Sequence, residues 1–132
     1  MLGKQISETT GRRILRRVLS SAPLEVEVSF EDSGKMLGVG TNGFGTYKAS
    51  VGPGGALFGE GAGAMVTEKG EMITWEGSAR GKLKQDGGVS YRGVLYFQTA
   101  SKKFAQLNEM TTVFEYEVDA EGKSVSKVWE WK

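Results

Sequence analysis

Apolar and polar residues alternate with a period of two along most of this chain, and this pattern constrains the fold more than any other feature. The clearest example is the segment Glu71–Leu83, where Ile73, Trp75 and Leu83 share one side of an extended chain with small residues between them. The opposite side is mostly polar. A strand with one apolar and one polar side is typical of a sheet that is buried on one face.

The same alternation predicts six further strands, at Pro23–Asp32, Lys35–Ser50, Ala56–Thr67, Val89–Thr99, Thr111–Asp119 and Ser124–Trp131. An eighth is predicted at Arg12–Ser20, although its four apolar residues also fit the stripe of an amphipathic helix. Turn-forming residues separate the strands, at 32–34, 52–55, 68–70, 86–88 and 120–122. The segment SKKFAQLN breaks the alternation, and it predicts one short helix near residues 101–107, between the sixth and seventh strands.

Turns of only three or four residues connect strands that are antiparallel neighbours in a sheet. Eight antiparallel strands of this kind are expected to close on themselves, because closure removes the exposed sheet edges. The sequence therefore predicts an all-β, eight-stranded antiparallel up-and-down barrel, with residues 1–132 in a single domain. A barrel of eight strands is either filled by side chains or wide enough for one small ligand.

The stretch GVGTNG at residues 38–43 matches the dinucleotide-binding fingerprint G-x-G-x-x-G. A true fingerprint lies between a strand and a helix, whose N-terminus binds the pyrophosphate. Here the following residues, FGTYKAS, alternate like a strand. We therefore interpret Gly38, Gly40 and Gly43 as part of a bent sheet rather than a nucleotide site.

Glycine makes up 20 of 132 residues, and many glycines recur on one side of neighbouring strands. The series includes Gly59, Gly61 and Gly63, then Gly77 and Gly81. Such a band has little side-chain volume, so either the aromatic residues fill it or it stays open as a cavity. An open interior of several hundred Å³ would favour ligand binding.

Two absent residue types exclude much of enzyme chemistry. There is no cysteine, hence no disulfide or thiolate, and no histidine, the commonest general base and metal ligand. The formal net charge of +1 predicts no strong attraction to nucleic acid. The N-terminal residues lack the apolar run of a secretory signal, and no apolar segment is long enough to span a membrane, so we expect a cytoplasmic, bacterial protein. Without cysteine, histidine or a recognisable binding motif, we expect no metal and no cofactor.

The residues expected to contact a ligand inside the barrel are large aromatics that supply contact area and glycines that supply room. They are Trp75, Tyr91, Phe97, Tyr116, Trp129, Gly61 and Gly77. No catalytic residue is assigned. Val94, Tyr96 and Val113 are expected on the outside of the barrel, where either a partner or the short helix would cover them. A homo-oligomer is one such arrangement.

The arginine cluster, Glu60 and Lys127 are charged candidates for function. The cluster GRRILRRV contains Arg12, Arg13, Arg16 and Arg17 and could bind phosphate or nucleic acid. The simpler interpretation, which we favour, is a solvated strand face balanced by the acidic strand that follows. Glu60 would be an acid or base if it pointed inward, but an outward Glu paired with a cation across the strands is expected. Strict alternation places Lys127 on the apolar side of its strand, where it could carry an ammonium into the barrel mouth. We expect instead that a bulge or strand end leaves it in solvent.

Several ordered motifs resemble small bacterial barrels of the calycin and allene-oxide-cyclase-like type. They are GTY at Gly45–Tyr47, GEGAG at Gly59–Gly63, ITWEG at Ile73–Gly77, YRGVLYFQTAS at Tyr91–Ser101 and VWEWK at Val128–Lys132. The resemblance implies an eight-stranded barrel with an apolar interior and, in some relatives, a lipophilic ligand. It carries over no catalytic residue, and fold analogy does not carry function.

Three hypotheses of function follow. The leading one is binding of a small apolar or amphipathic ligand inside the barrel. The first alternative is a packed barrel that acts as a structural or interaction protein. The second alternative is a cofactor-free isomerase or cyclase, which needs an ionisable group inside the barrel.

Overall fold

A computed structural model describes residues 1–132 and shows a closed antiparallel barrel in which each strand pairs with its neighbours in sequence and the first pairs with the last. The strands are β1 Leu2–Ser21, β2 Leu24–Met36, β3 Val39–Val51, β4 Leu57–Thr67, β5 Met72–Leu83, β6 Val89–Thr99, β7 Thr111–Val118 and β8 Lys123–Trp131. A short 3-10 turn lies at Pro53–Gly55, and a 3-10 helix at Lys102–Glu109 follows β6. The predicted eight-stranded barrel is confirmed.

The hairpin between β2 and β3 lies further along the chain than the sequence predicted. The predicted turn at residues 32–34 is part of β2, and the actual turn is formed by Leu37 and Gly38. Both residues have positive φ values, of 50° and 81°, which suit the tight turns that connect twisted strands. Gly40 and Gly43 of the fingerprint match therefore lie in β3, and no helix follows them.

β1 is also longer than predicted, since it begins at Leu2 rather than near Arg12. Its first half closes the barrel by pairing with β8 as far as Arg12. From Ile14 to Ser21 it pairs with β2 alone, and we call this segment the β1 extension. The strand predicted at Arg12–Ser20 is confirmed, and the helical stripe that its apolar residues also fit does not form, because these residues pair with β2.

One end of the barrel is closed by the 3-10 helix, which we call the capping helix. Its Phe104 and Leu107 are fully buried, and they pack with Met36, Ile73 and Phe97 in the larger apolar core. Side-chain hydrogen bonds hold the helix in place. Asn108 accepts from the Thr99 amide at 2.8 Å and donates to the Thr99 carbonyl at 3.0 Å.

The inner face of β8 is the opposite of the predicted one. Ser124 and Val128 are buried, whereas Val125 and Trp131 are exposed. Since side chains alternate along a strand, Lys127 and Trp129 belong to the outer face. The sequence pattern misled here because small serines line the inside of this strand and large apolar residues lie outside. The structure contains no helix long and apolar enough to cross a membrane.

Candidate ligand-binding site

The barrel interior contains a partly open cavity of about 90 Å³ between the apolar core at the capped end and a layer of tyrosines near the other end. Six of the seven residues predicted to contact a ligand line it, namely Trp75, Tyr91, Phe97, Tyr116, Gly61 and Gly77. Trp129 is not among the lining residues, because it lies on the outer face of β8 beside Val113 and Gln5. The cavity is well below the several hundred Å³ that the sequence analysis set as its criterion for ligand binding.

The glycine band explains the small volume, because aromatic rings occupy most of it. Phe30, Gly45, Gly63 and Trp75 are neighbours in one row across four strands. The two glycines leave room for the flanking rings to lean over them and meet, with centroids 6.2 Å apart and planes 22° from parallel. A Cβ atom at Gly63 would lie 2.5 Å from Trp75 Cζ2. The glycines thus shape the interior around Trp75 rather than leaving open space.

Three tyrosines form a layer toward the uncapped end of the barrel. Tyr47 packs edge to face with both Tyr91 and Tyr116, at centroid distances of 5.9 and 6.0 Å. Burial raises the pKa of all three phenols, to about 12 for Tyr116, whose pKa is also raised by the charge of Asp32 and lowered by hydrogen bonding to Ser124. These hydroxyls are therefore neutral donors at physiological pH.

The raised pKa values predict that alkali unfolds this protein through the tyrosine layer. Each phenol ionises near pH 10 in the unfolded chain and at higher pH in the folded one, so the folded state binds more protons and loses stability above pH 10. Each tyrosine contributes at most about 1.4 kcal/mol per pH unit. Urea unfolding over a pH series should show this decline weakened by Tyr47→Phe and unchanged by Tyr96→Phe, since Tyr96 is exposed. A decline equally steep in Tyr47→Phe would contradict the assignment.

The cavity also contains a carboxylate that the sequence analysis did not single out. Asp32 occupies an inward position of β2, two residues after the buried Phe30. Thr9 donates a hydrogen bond to its Oδ2 at 3.3 Å, and no ion pair involves this carboxylate. Partial burial raises its pKa, with the Thr9 hydrogen bond acting in the opposite direction. The carboxylate thus faces the cavity without a cation to neutralise it.

The two charged residues considered as acid or base candidates both direct their side chains outward, although Glu60 is also among the residues that border the cavity. The side chain of Glu60 is exposed and its Oε1 lies 3.8 Å from Lys48 Nζ, across the neighbouring strand. This is the outward, cation-paired arrangement that the sequence analysis expected. Lys127 belongs to the outer face of β8 opposite Glu115, so it places no charge in the barrel mouth.

The arginine cluster divides into two pairs. Arg12 and Arg17 lie on the outer face and form ion pairs with Glu31 at 3.1 Å and Glu27 at 3.3 Å, as the balanced-face interpretation predicted. Arg13 lies opposite the inward-facing Phe30. A bulge after Arg13 then shifts the register, so that Arg16 lies opposite the inward-facing Val28. These two arginines form no ion pair, and their charge acts on the Tyr47 hydroxyl. They therefore place positive charge at the uncapped mouth.

The outer residues Val94 and Val113 are cross-strand neighbours, and Trp129 continues this row on β8. Tyr96 is about half exposed. The capping helix packs its apolar side chains into the core at the end of the barrel. The outer apolar strip is therefore not covered by the helix, and in the single chain Val94, Val113 and Trp129 are half-buried.

Phe30, Asp32 and Tyr47 are among the cavity residues that were not predicted from the sequence. The alternation in β2 already indicates that Phe30 and Asp32 point inward, because the apolar residues of this strand occupy even-numbered positions and position 32 continues that series. The interpretation of Asp32 as a turn residue hid it. Tyr47 follows Gly43 and Gly45 on the odd-numbered side of β3, so the same alternation indicates that it points inward.

Solved structures with the same fold come from several bacteria. A conserved protein of unknown function from Rhodopseudomonas palustris superposes with a TM-score of 0.82 at 15% identity, covering 98% of this chain and 97% of that one. A protein of unknown function from Clostridium acetobutylicum gives 0.81 at 14% identity, with 96% of each chain covered. A β-barrel-like protein from Acinetobacter baumannii gives 0.82 at 12%, with 100% of this chain and 96% of that one covered. No family model and no curated protein matches the chain. The likeness shows a shared barrel fold.

Proposed function

We propose that this barrel binds a small amphipathic molecule in its interior cavity. The observation that carries the proposal is the division of the cavity wall, which is apolar toward the capped end and carries Asp32 and three tyrosines toward the other. Pockets of this kind, mostly apolar with a few convergent polar groups, are typical of small-molecule sites. The resemblance to calycin-type barrels agrees with this choice as an analogy only.

The cavity volume limits the size of the ligand. Drug-sized ligands occupy pockets of about 300–1,000 Å³, whereas an apolar cavity of roughly 150 Å³ in another protein takes up benzene. A cavity of about 90 Å³ therefore suits a single ring or a short chain of comparable size. The apolar part would lie against Trp75, Leu95 and Phe97, with a polar group directed to Asp32 and Tyr116.

The position of Trp75 in the wall provides a direct test. In a Trp129→Phe, Trp131→Phe background, Trp75 is the sole tryptophan and reports on the cavity. We expect saturable quenching or a spectral shift with members of a panel of cyclohexanone, phenol and indole. Native mass spectrometry of protein purified from its own host would identify a ligand that is already bound.

A matched pair of substitutions on β8 distinguishes the cavity from the outer surface. Ser126→Leu places a larger side chain in the cavity wall and should weaken binding at least tenfold. Val125→Leu, one residue away on the exposed outer face, should leave binding unchanged. Equal affinity in both variants, or no response to any panel member combined with an empty barrel in the mass spectrum, would reject the proposal.

An interaction protein is the second candidate, and the β1 extension favours it. Ile14, Leu15, Val18 and Leu19 are between 44% and 65% exposed, and the outer edge of this segment pairs with no strand. An exposed apolar strand edge is a liability that proteins usually cover. The same native mass spectrum tests this candidate, because a stable dimer or a co-purified protein would appear in it.

A further inference from the structure

We propose that Asp32 is the proton-transfer residue of a cofactor-free isomerase activity, whose substrate is a small enolisable carbonyl compound bound in the cavity. This inference rests on the proposed binding function. It goes beyond that function because it assigns a reaction to the bound molecule and a role to one side chain.

The local sequence is arranged to admit this carboxylate. Asp32 lies opposite Gly11 on β1 and Gly43 on β3. A Cβ at Gly43 would lie 2.5 Å from Asp32 Oδ1, and one at Gly11 would lie 2.6 Å from Asp32 Cβ. Glycine on both neighbouring strands therefore leaves the space that the Asp32 side chain occupies.

The electrostatic surroundings favour a base over a structural ion pair. A carboxylate held in a barrel wall without a cation is costly for stability, and such groups occur where function retains them. Its one side-chain hydrogen bond comes from the neutral Thr9 hydroxyl. Burial raises the pKa of Asp32, which strengthens it as a proton acceptor.

The tyrosine layer supplies the second group that the reaction needs. Tyr116 pairs with Ser126, Ser126 pairs with Thr9, and Thr9 donates its hydrogen bond to Asp32, so the two residues lie on the same side of the interior. The charge of Asp32 accordingly raises the pKa of Tyr116. A neutral phenol in a weakly hydrated site is a hydrogen-bond donor suited to the oxygen of an enolate. Both residues line the same cavity, so a small carbonyl compound can contact both.

The reaction balances without a co-reactant. The Asp32 carboxylate takes a proton from the carbon next to the carbonyl group, and the electrons of that C–H bond form the enolate. The Tyr116 hydroxyl donates a hydrogen bond to the enolate oxygen. Protonated Asp32 then returns the proton to the same carbon or to the far carbon of a conjugated enolate. The second outcome is an isomerisation that moves a double bond and leaves the enzyme unchanged.

The test uses the full-length protein and three named probes, 3-cyclohexenone, cyclohexanone and acetophenone. Proton NMR in D2O follows deuterium incorporation next to the carbonyl, and ultraviolet absorbance follows conversion of 3-cyclohexenone to its conjugated isomer. We expect wild-type protein to accelerate at least one of these reactions and Asp32→Asn to lower the protein-dependent rate at least 100-fold. Glu31→Gln, the outward neighbour on β2, serves as the matched control and should retain the full rate.

Binding is measured separately for each variant through Trp75 fluorescence, in the Trp129→Phe, Trp131→Phe background. Retained binding with lost exchange in Asp32→Asn supports the proposal, because the substitution preserves shape and removes only the base. Wild-type protein that binds the probes but exchanges no protons overturns the isomerase proposal and leaves the binding function standing. Equal rates in wild type and Asp32→Asn, or no acceleration of any probe, also overturn it.

Discussion

Gly63→Ala is expected to lower the free energy of unfolding by about 3 kcal/mol, which is at the upper end of overpacking costs. The new Cβ would lie 2.5 Å from Trp75 Cζ2 and 2.6 Å from the carbonyl oxygen of Phe44. The first atom belongs to a ring stacked on Phe30, and the second belongs to the backbone of β3. Neither atom can move without disturbing a neighbouring strand, so the structure cannot relieve the clash by a small local shift.

The control for this substitution is Gly40→Ala in the neighbouring strand β3. No atom lies within 4 Å of the Cβ that it would add, and its φ is not positive. We expect its stability to be unchanged or raised by less than about 1 kcal/mol. Denaturant unfolding of both variants measures the difference. A loss in Gly63→Ala no larger than in Gly40→Ala would show that the row around Trp75 is loosely packed.

Phe104→Ala is expected to cost about 3–5 kcal/mol, the usual range for removing a buried aromatic side chain. Phe104 is 1% exposed and packs into the larger core from the capping helix. A 3-10 helix of eight residues has little stability of its own, so this burial holds the helix on the barrel. Its loss should also admit water to the capped end, which would appear as a red shift of Trp75 emission.

Gln106→Ala on the same helix provides the comparison, since this side chain is exposed. Its effect should stay within about 0.5 kcal/mol. Equilibrium urea unfolding gives both values under the same conditions. If Phe104→Ala were as mild as Gln106→Ala, the helix would be a surface element and the barrel would close without it.

Much of the fold was predictable because a period-two pattern is a local property. The strands near Glu71–Leu83 and Val89–Thr99 were predicted with their inner faces correct, since Trp75, Tyr91 and Phe97 alternate with polar residues. β8 was predicted as a strand with the wrong face inward. In that strand, the choice of face depends on which side the closed barrel buries, and Ser124 and Ser126 face inward only because β1 and β7 pair with them in register.

The aromatic part of the candidate site could be predicted from the same local alternation, whereas its carboxylate could not. The aromatic residues that line the cavity follow from alternation, and six of the seven named positions lie in its wall. Asp32 was missed because its sequence neighbours Ser33 and Gly34 are typical turn residues. Pairing with β1 and β3 extends β2 through them, and this pairing is what directs the carboxylate inward.

The sequence by itself determined the class of fold, the number of strands and the absence of thiol and imidazole chemistry, because composition and periodicity need no knowledge of distant contacts. Only the tertiary structure decided the volume of the interior and the charge inside it. Those depend on how rows of residues from different strands meet after closure. In one such row, Gly45 and Gly63 leave the space that the Trp75 ring fills. Asp32 becomes an inward carboxylate between Gly11 and Gly43 in another.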